Sequence, residues 1–227
     1  ILELRKIANL KFTFNSVAKT LNIDFWEDNL NAPTTMTWSA KATIGEKKTP
    51  ENNTRIQLSM TVDGNDALAK DKPAAFADYL SPEVVGTSNG IAKIEFKFST
   101  LLMDTESGLP ACNQEGQTSQ FAQDAKPWAP RLLFWHGMGA SYPMALPEME
   151  DIALFPANIA NTSWKQTIAL RQRQFYLAKD FILNETDIAK LDFGKKYHVN
   201  GVDYLIAQLN IEVPIKDVAT ALLVGGV

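Results

Sequence analysis

The sequence predicts a mainly β or α+β protein, with two β-rich halves, barrel-like or sandwich-like, and a few covering helices. Three observations carry that expectation. Several short runs alternate apolar and polar residues with period two. An Asn200-Gly201 pair joins two such runs, the strongest short-range hairpin signal. Strands and long amphipathic helices do not alternate regularly, which argues against a parallel βαβ sheet. With 227 residues, 45% of them hydrophobic and 21% charged, the chain can build a core without disulfide or metal staples.

Taken in order, residues 1–11 place Ile1, Leu2, Ile7 and Leu10, with Phe12 just beyond, at helical spacing and predict a short amphipathic helix. "TLNIDFWED" (20–28) alternates, with Leu21, Ile23 and Phe25 on one face, and reads as a strand. "TMTWSAKATI" (35–44), "TRIQLSMTV" (54–62) and "IAKIEFKFST" (91–100) are further strand candidates. In the last, Ala92, Ile94, Phe96 and Phe98 share one face, and Lys93, Glu95 and Lys97 share the other with Ile91. Residues 63–90, punctuated by Gly and Pro, read as loop with a helical turn near "AAFADYL". The polar, Pro-bounded stretch before residue 130 divides the chain into a first half (1–104), a linker or long loop (105–129) and a second half (130–227).

The second half opens with "PRLLFWHGMGASYP" (130–143), an apolar run delivered into a Gly-containing turn, followed by a Pro-rich loop (143–156). "SWKQTIALRQRQFYLA" (163–178) carries Trp164, Ile168, Arg171 and Phe175 at helical steps, with Ser163 placed to cap the amino end. A strand "DFILN" (180–184) and a short helix or turn ending at Gly194 lead to the hairpin 195–214.

Composition excludes several function classes. A net charge of −4, with no Lys/Arg run longer than two, argues against a nucleic-acid surface. No stretch approaches 18 continuous apolar residues, so no membrane-spanning helix is expected. The single cysteine, Cys112, allows no intramolecular disulfide and no cysteine metal cluster. The start at Ile1 has neither Met nor a signal-peptide pattern, and the chain is expected to be a piece of a longer protein.

The chemical motifs weigh against catalysis. His136-Gly137 after an apolar run looks like the oxyanion loop of a serine esterase, but that chemistry needs a serine on a G-x-S-x-G turn. Ser141 stands in G-A-S-Y-P, where Pro143 replaces the second glycine, and Ser163 has no glycine nearby. The late histidine, His198, falls inside a hairpin strand. His136 is therefore expected to be a strand-end residue hydrogen-bonded locally. Asp63, Asn65 and Asp66 begin like a calcium loop, but Leu68 and Ala74 stand where it needs Gly and Glu, so "DGND" reads as a turn. "LDFG" (191–194) has no accompanying kinase motif, and "GMG" (137–139) is too short to cradle phosphate. Glu148, Glu150 and Asp151 read as a solvated acidic loop, with a glycosidase pair, whose carboxylates meet in space and not in sequence, as the alternative. The five tryptophans, Trp26, Trp38, Trp128, Trp135 and Trp164, suit a core, a sugar platform or a protein interface. No catalytic, cofactor-binding or metal-binding residue is assigned.

In order and texture, "KTLNIDFWEDN", "WSAKA", "IEFKFST", "PRLLFWHGM", "YP", "SWKQTIALRQRQFYLAK" and "LDFGKKYHVNGVDYLIAQLNIEVP" resemble the carboxy-terminal part of baseplate-hub and tail structural proteins of phages and Bacteroidetes prophages. The resemblance covers most of residues 1–214. It implies a β-rich structural subunit without an active site or cofactor, assembled as a homo-oligomeric ring, commonly a trimer, with other tail or baseplate proteins. The implied location is the virion tail, assembled in the bacterial cytoplasm. The competing expectations are a hydrolase acting on glycans or esters, and a carbohydrate-binding module that stacks sugars on exposed tryptophans.

Overall fold

The computed structural model describes residues 2–113, 129–139, 142–212 and 218–227. It is a mixed α+β structure, 40% strand and 19% helix, so the strands in several sheets set the architecture and a few helices cover them.

Helix α1 (Leu2–Ile7) gives way to strands β1 (Leu10–Asn15) and β2 (Thr20–Phe25). Leu10 and Phe12, which their spacing assigns to the helix, lie in β1. The break falls at Asn9, whose φ of 48° is one that Asn tolerates better than most residues. Helix α2 (Trp26–Asn31) takes over the end of the expected strand 20–28. Next come β3 (Thr34–Thr37), a 3-10 turn at Ser39–Lys41, β4 (Lys47–Pro50) and β5 (Arg55–Met60). The loop 63–90 contains a 3-10 turn at Ala74–Phe76, as expected, and the short β6 (Tyr79–Leu80). Strand β7 (Ile91–Phe96) keeps the alternation read from the sequence, buried toward Phe96 and exposed at Lys93 and Glu95.

Beyond it lie β8 (Leu102–Met103) and β9 (Pro110–Ala111), and most of the expected linker falls outside the described residues. After Ala129 come β10 (Phe134–Met138), β11 (Pro143–Leu146), β12 (Glu148–Met149) and β13 (Ile152–Ala153). The stretch 143–156 is therefore short paired strands where a loop was expected. Helices α3 (Pro156–Asn161) and α4 (Lys165–Arg173) precede β14 (Phe175–Phe181), α5 (Glu185–Ala189), β15 (Lys196–Val199), β16 (Val202–Asn210) and β17 (Ala219–Gly225).

The chain forms two compact units, each drawing segments from both sides of residues 105–129. One comprises Ile1–Ile23, Ile56–Pro82 and Ala92–Lys165; the other comprises Asp24–Arg55, Glu83–Ile91 and Gln166–Val227.

The second unit is built on a six-stranded sheet in the order β3-β15-β16-β17-β14-β4. Asn200-Gly201 forms its hairpin turn with φ of 51° and 90°, the positive values that this dipeptide was expected to supply. The longest pairing, β14 with β17, runs over seven consecutive partners from Phe175–Gly225 to Phe181–Ala219. That pairing ends the expected helix 163–178 early, because Phe175 to Ala178 gain a full ladder as strand and none as helix. On one face Trp38, Leu177, Phe181, Tyr197, Ile206 and Leu223 are buried in one cluster. On the other, Leu205 packs with Leu30 of α2 and Leu170 of α4. Residues adjacent in β16, Leu205 and Ile206, thus serve opposite faces, as the pleat dictates. Each such side chain contributes roughly 1.5–3 kcal/mol by leaving water. At one edge β4 is exposed throughout and reads Lys-Lys-Thr-Pro, charges and a proline that discourage further strand addition.

The first unit carries smaller sheets: β6-β5-β7, and the pairs β1-β2, β8-β9, β10-β11 and β12-β13. Ile56, Leu58 and Met60 alternate into its core with Phe76, Phe96, Ile159 and Trp164. The ring of Phe155 lies 5.5 Å from that of Phe76.

Candidate interaction surface

In the first unit the β1-β2 hairpin stands out by what it fails to bury. Alternation puts Leu10, Phe12 and Phe14 on one side of β1 and Leu21 and Ile23 on one side of β2, with Lys11, Thr13, Thr20 and Asn22 opposite. Such a side normally packs on a core. Here β2 is exposed along its whole length, with Phe14 66%, Leu21 47% and Ile23 55% exposed, and Val17 in the turn 93%. The turn itself is well made. The Asn15 side-chain oxygen accepts the N–H groups of Val17 and Ala18, both at 3.0 Å. The root is anchored too: Trp164 Nε1 donates to the Lys6 carbonyl at 2.9 Å, Asn9 Nδ2 to the Ser163 carbonyl at 2.9 Å, and the Lys97 N–H to Glu3 at 2.8 Å. The hairpin thus has a fixed root and an uncovered apolar tip.

The β10-β11 hairpin repeats the pattern. Phe134 pairs with Leu146, Trp135 with Ala145 and Met138 with Pro143, with a bulge between Trp135 and Met138. Gly137 makes that bulge with φ of 84°, a value that side-chain-bearing residues resist. Trp135 is 59% exposed, Met138 69% and Tyr142 50%. His136 Nε2 lies 2.8 Å from the Glu148 carbonyl, and since a carbonyl only accepts, Nε2 carries the hydrogen. His136 is thus tied to the backbone next door, as expected for a strand residue. Glu148, Glu150 and Asp151 are exposed beside it.

The remaining candidates read from the sequence serve structure. Asp63 and Asp66 form a buried knot with Arg131, whose Nη2 reaches their carboxylates at 3.0 and 3.2 Å. Asp63 also accepts the N–H groups of Asn65 and Ala129, and Asp66 those of Leu68 and Asn113, so "DGND" is a turn bonded to chain far away. Burial works to raise the Asp63 carboxyl. The Asn65 and Ala129 N–H groups and the Arg131 guanidinium outweigh it and hold the carboxyl below the usual range. Among the described residues no group of three His, Cys, Asp or Glu side chains converges on a metal position.

His198 Nδ1 meets Asp203 at 2.7 Å across the β15-β16 hairpin, and the Thr34 hydroxyl donates to the same carboxylate. These two bonds hold the Asp203 carboxyl low, the Thr34 one foremost. Among the described residues no hydroxyl or thiol meets the other ring nitrogen, so His198 has no nucleophile to activate. Ser163 does not cap α4. The Glu27 carboxylate does, accepting the Gln166 N–H at 2.6 Å and the Thr167 N–H at 3.3 Å. Ser141 and Trp128 lie outside the described residues.

In the second unit a cleft of about 320 Å³ lies beside Glu51, Thr54, Thr87, Gln174 and Phe175. The Glu51 carboxylate already accepts from the Asn53 N–H, Tyr176 Oη and Gln174 Nε2 at 2.9, 2.8 and 3.3 Å and pairs with the Arg171 guanidinium at 3.2 Å. These partners fix the carboxylate as a structural tie between β4, β14 and the end of α4.

Against known proteins the chain matches no family model, and no curated protein matches it in sequence. The sequence reading missed the β1-β2 hairpin. Its signal was the alternation of "LKFTFN" and "TLNIDF" about an Asn-led turn, although only the second run was read as a strand. Exposure of that apolar side has no signature in one sequence.

Proposed function

We propose that the chain is a structural assembly protein, a subunit of a phage or prophage tail or baseplate hub whose partners are copies of itself and other tail proteins in the virion. The observation that carries this reading is the β1-β2 hairpin, anchored at its root and bare on its apolar side. An isolated two-stranded hairpin is marginal in water, and one with Phe14, Val17, Leu21 and Ile23 uncovered calls for another surface to cover it. The order of sequence segments that resembles tail structural proteins is its second support.

The competing readings have less support. A carbohydrate platform needs coplanar exposed aromatics, but Trp38 and Trp164 are buried and Trp26 is half-buried, which leaves Trp135 exposed among the described tryptophans. An esterase of the serine type needs a nucleophile beside a base, and neither His136 nor His198 has one among the described residues. The deciding measurement is mass in solution by light scattering over a hundredfold range of concentration. A stable oligomer supports the assembly reading. A strict monomer throughout overturns self-assembly.

A further inference from the structure

We propose that copies of this chain associate head to tail, the β1-β2 hairpin of one copy docking on the β10-β11 hairpin of the next; this rests on the assembly reading above. The first unit carries two separate apolar surfaces, Phe14, Val17, Leu21 and Ile23 on one hairpin and Trp135, Met138 and Tyr142 on the other. A two-fold contact of either surface with itself leaves the other surface bare on both copies. A heterologous contact covers both at once, and repeated through the same rotation it closes a ring or extends a filament.

Charge selects the same pairing. In and beside the first hairpin, residues 1–25 carry Arg5, Lys6, Lys11 and Lys19 against Glu3 and Asp24, an excess of base although the whole chain is acidic at −4. Around the second stand Glu148, Glu150 and Asp151, all exposed, with no basic residue between Phe134 and Phe155. A basic apolar element facing an acidic apolar element is attracted. Either one facing its own copy meets like charge, which costs affinity. The apolar area is modest: the exposed side chains offer roughly 400 Å² on each partner, about 800 Å² in all against the roughly 1,200 Å² of a specific interface, so polar surface around both hairpins has to supply the rest. β2 adds a hydrogen-bonding edge free of proline, open to strand addition, since among the described residues β1 is its one sheet neighbour.

Mixing two variants of the full chain tests this. One carries Leu21→Lys and Ile23→Lys, the other Trp135→Ser and Met138→Glu. All four positions are exposed, and circular dichroism and thermal melts check that each variant folds. Head-to-tail docking predicts an oligomeric parent, each variant alone monomeric at a concentration where the parent is associated, and a one-to-one mixture forming a dimer and nothing larger. The dimer forms because one intact contact survives between the unaltered hairpin of each variant. Raising the salt from 50 to 500 mM weakens the parent assembly at least several-fold. If the parent associates and the Trp135/Met138 variant still does so alone, the pairing proposed here is wrong and the assembly reading stands. A monomeric parent overturns the head-to-tail pairing and, with it, the self-assembly part of that reading.

Discussion

At the scale of single residues, Arg131 and Trp38 show how differently buried polar groups are accommodated. Arg131 neutralises two carboxylates that are nearly inaccessible, Asp63 at 4% and Asp66 at 2% side-chain exposure. Arg131→Ala leaves both charges buried without their cation. The expected loss is about 3–5 kcal/mol by urea unfolding, because an orphaned buried charge keeps its desolvation cost. Changing the knot together to Asp63→Asn, Asp66→Asn and Arg131→Met is expected to recover part of that loss, since the amide oxygen at position 66 still accepts the Leu68 and Asn113 N–H groups and the one at position 63 still accepts one of the Asn65 and Ala129 N–H groups. A triple variant as unstable as Arg131→Ala would show that the ion pairing itself is indispensable. Trp38 is the opposite case: fully buried, its ring 4.5 Å from Tyr197 and 5.1 Å from Phe181, with an indole N–H that meets no acceptor among the described residues. The indole nitrogen therefore contributes no bond to lose. Trp38→Phe is expected to cost under about 2 kcal/mol, and Trp38→Ala about 3–5 kcal/mol through the cavity it opens. Equal losses for the two would refute this assignment of the stabilisation to ring packing.

At the scale of elements, distant partners override local sequence. The cap of α4 comes from Glu27 in α2, a residue that no inspection of 163–178 would nominate. Glu27→Ala is expected to cost about 1 kcal/mol, within the range for losing a helix cap, while Ser163→Ala leaves stability unchanged. Urea midpoints of the two variants decide it, and the reverse order would restore Ser163 as the cap. Gly225 is constrained by its cross-strand partner. A Cβ there would stand 2.3 Å from the Phe175 ring, which also meets Tyr204 edge-on at 6.0 Å. Gly225→Ala is accordingly expected to destabilise by about 1–3 kcal/mol by displacing that ring. These cases mark what was legible. The Asn200-Gly201 hairpin, the alternating faces of β5 and β7 and the turn at Asp63 were readable, because each is encoded within a few neighbouring residues. The end of helix 163–178, the strands within 143–156 and the Glu27 cap were not, because each depends on a partner far along the chain. The candidate surface divides in the same way. The amphipathic alternation of β1 and β2 is in the sequence, but whether a core covers the apolar side is decided by folding.

At the scale of the whole molecule, the two units share a vulnerability to acid. Asp63 in the first and Asp187 in the second are both largely buried, and burial alone would raise their carboxyls. For Asp187 it is outweighed by the Lys41 ammonium and the Asn184 N–H, the latter part of the capping box that begins α5. Both carboxyls thus titrate below their unfolded value of roughly 3.9. Their contribution to stability is fully present above that value and is lost as pH falls through the folded one, where the unfolded chain binds protons that the folded chain refuses. Each group then adds a slope of about 1.36 kcal/mol per pH unit over that window. Urea midpoints are expected to be level from pH 7 to 5 and to drop below pH 4. Asp187→Asn removes one of the two groups, so it should lower the midpoint at pH 7 and flatten the drop below pH 4, bringing parent and variant together in acid. Parallel curves for parent and variant would mean that the Lys41 and Asn184 bonds do not favour the charged carboxylate, and a midpoint unchanged down to pH 3 would remove the role assigned to both residues.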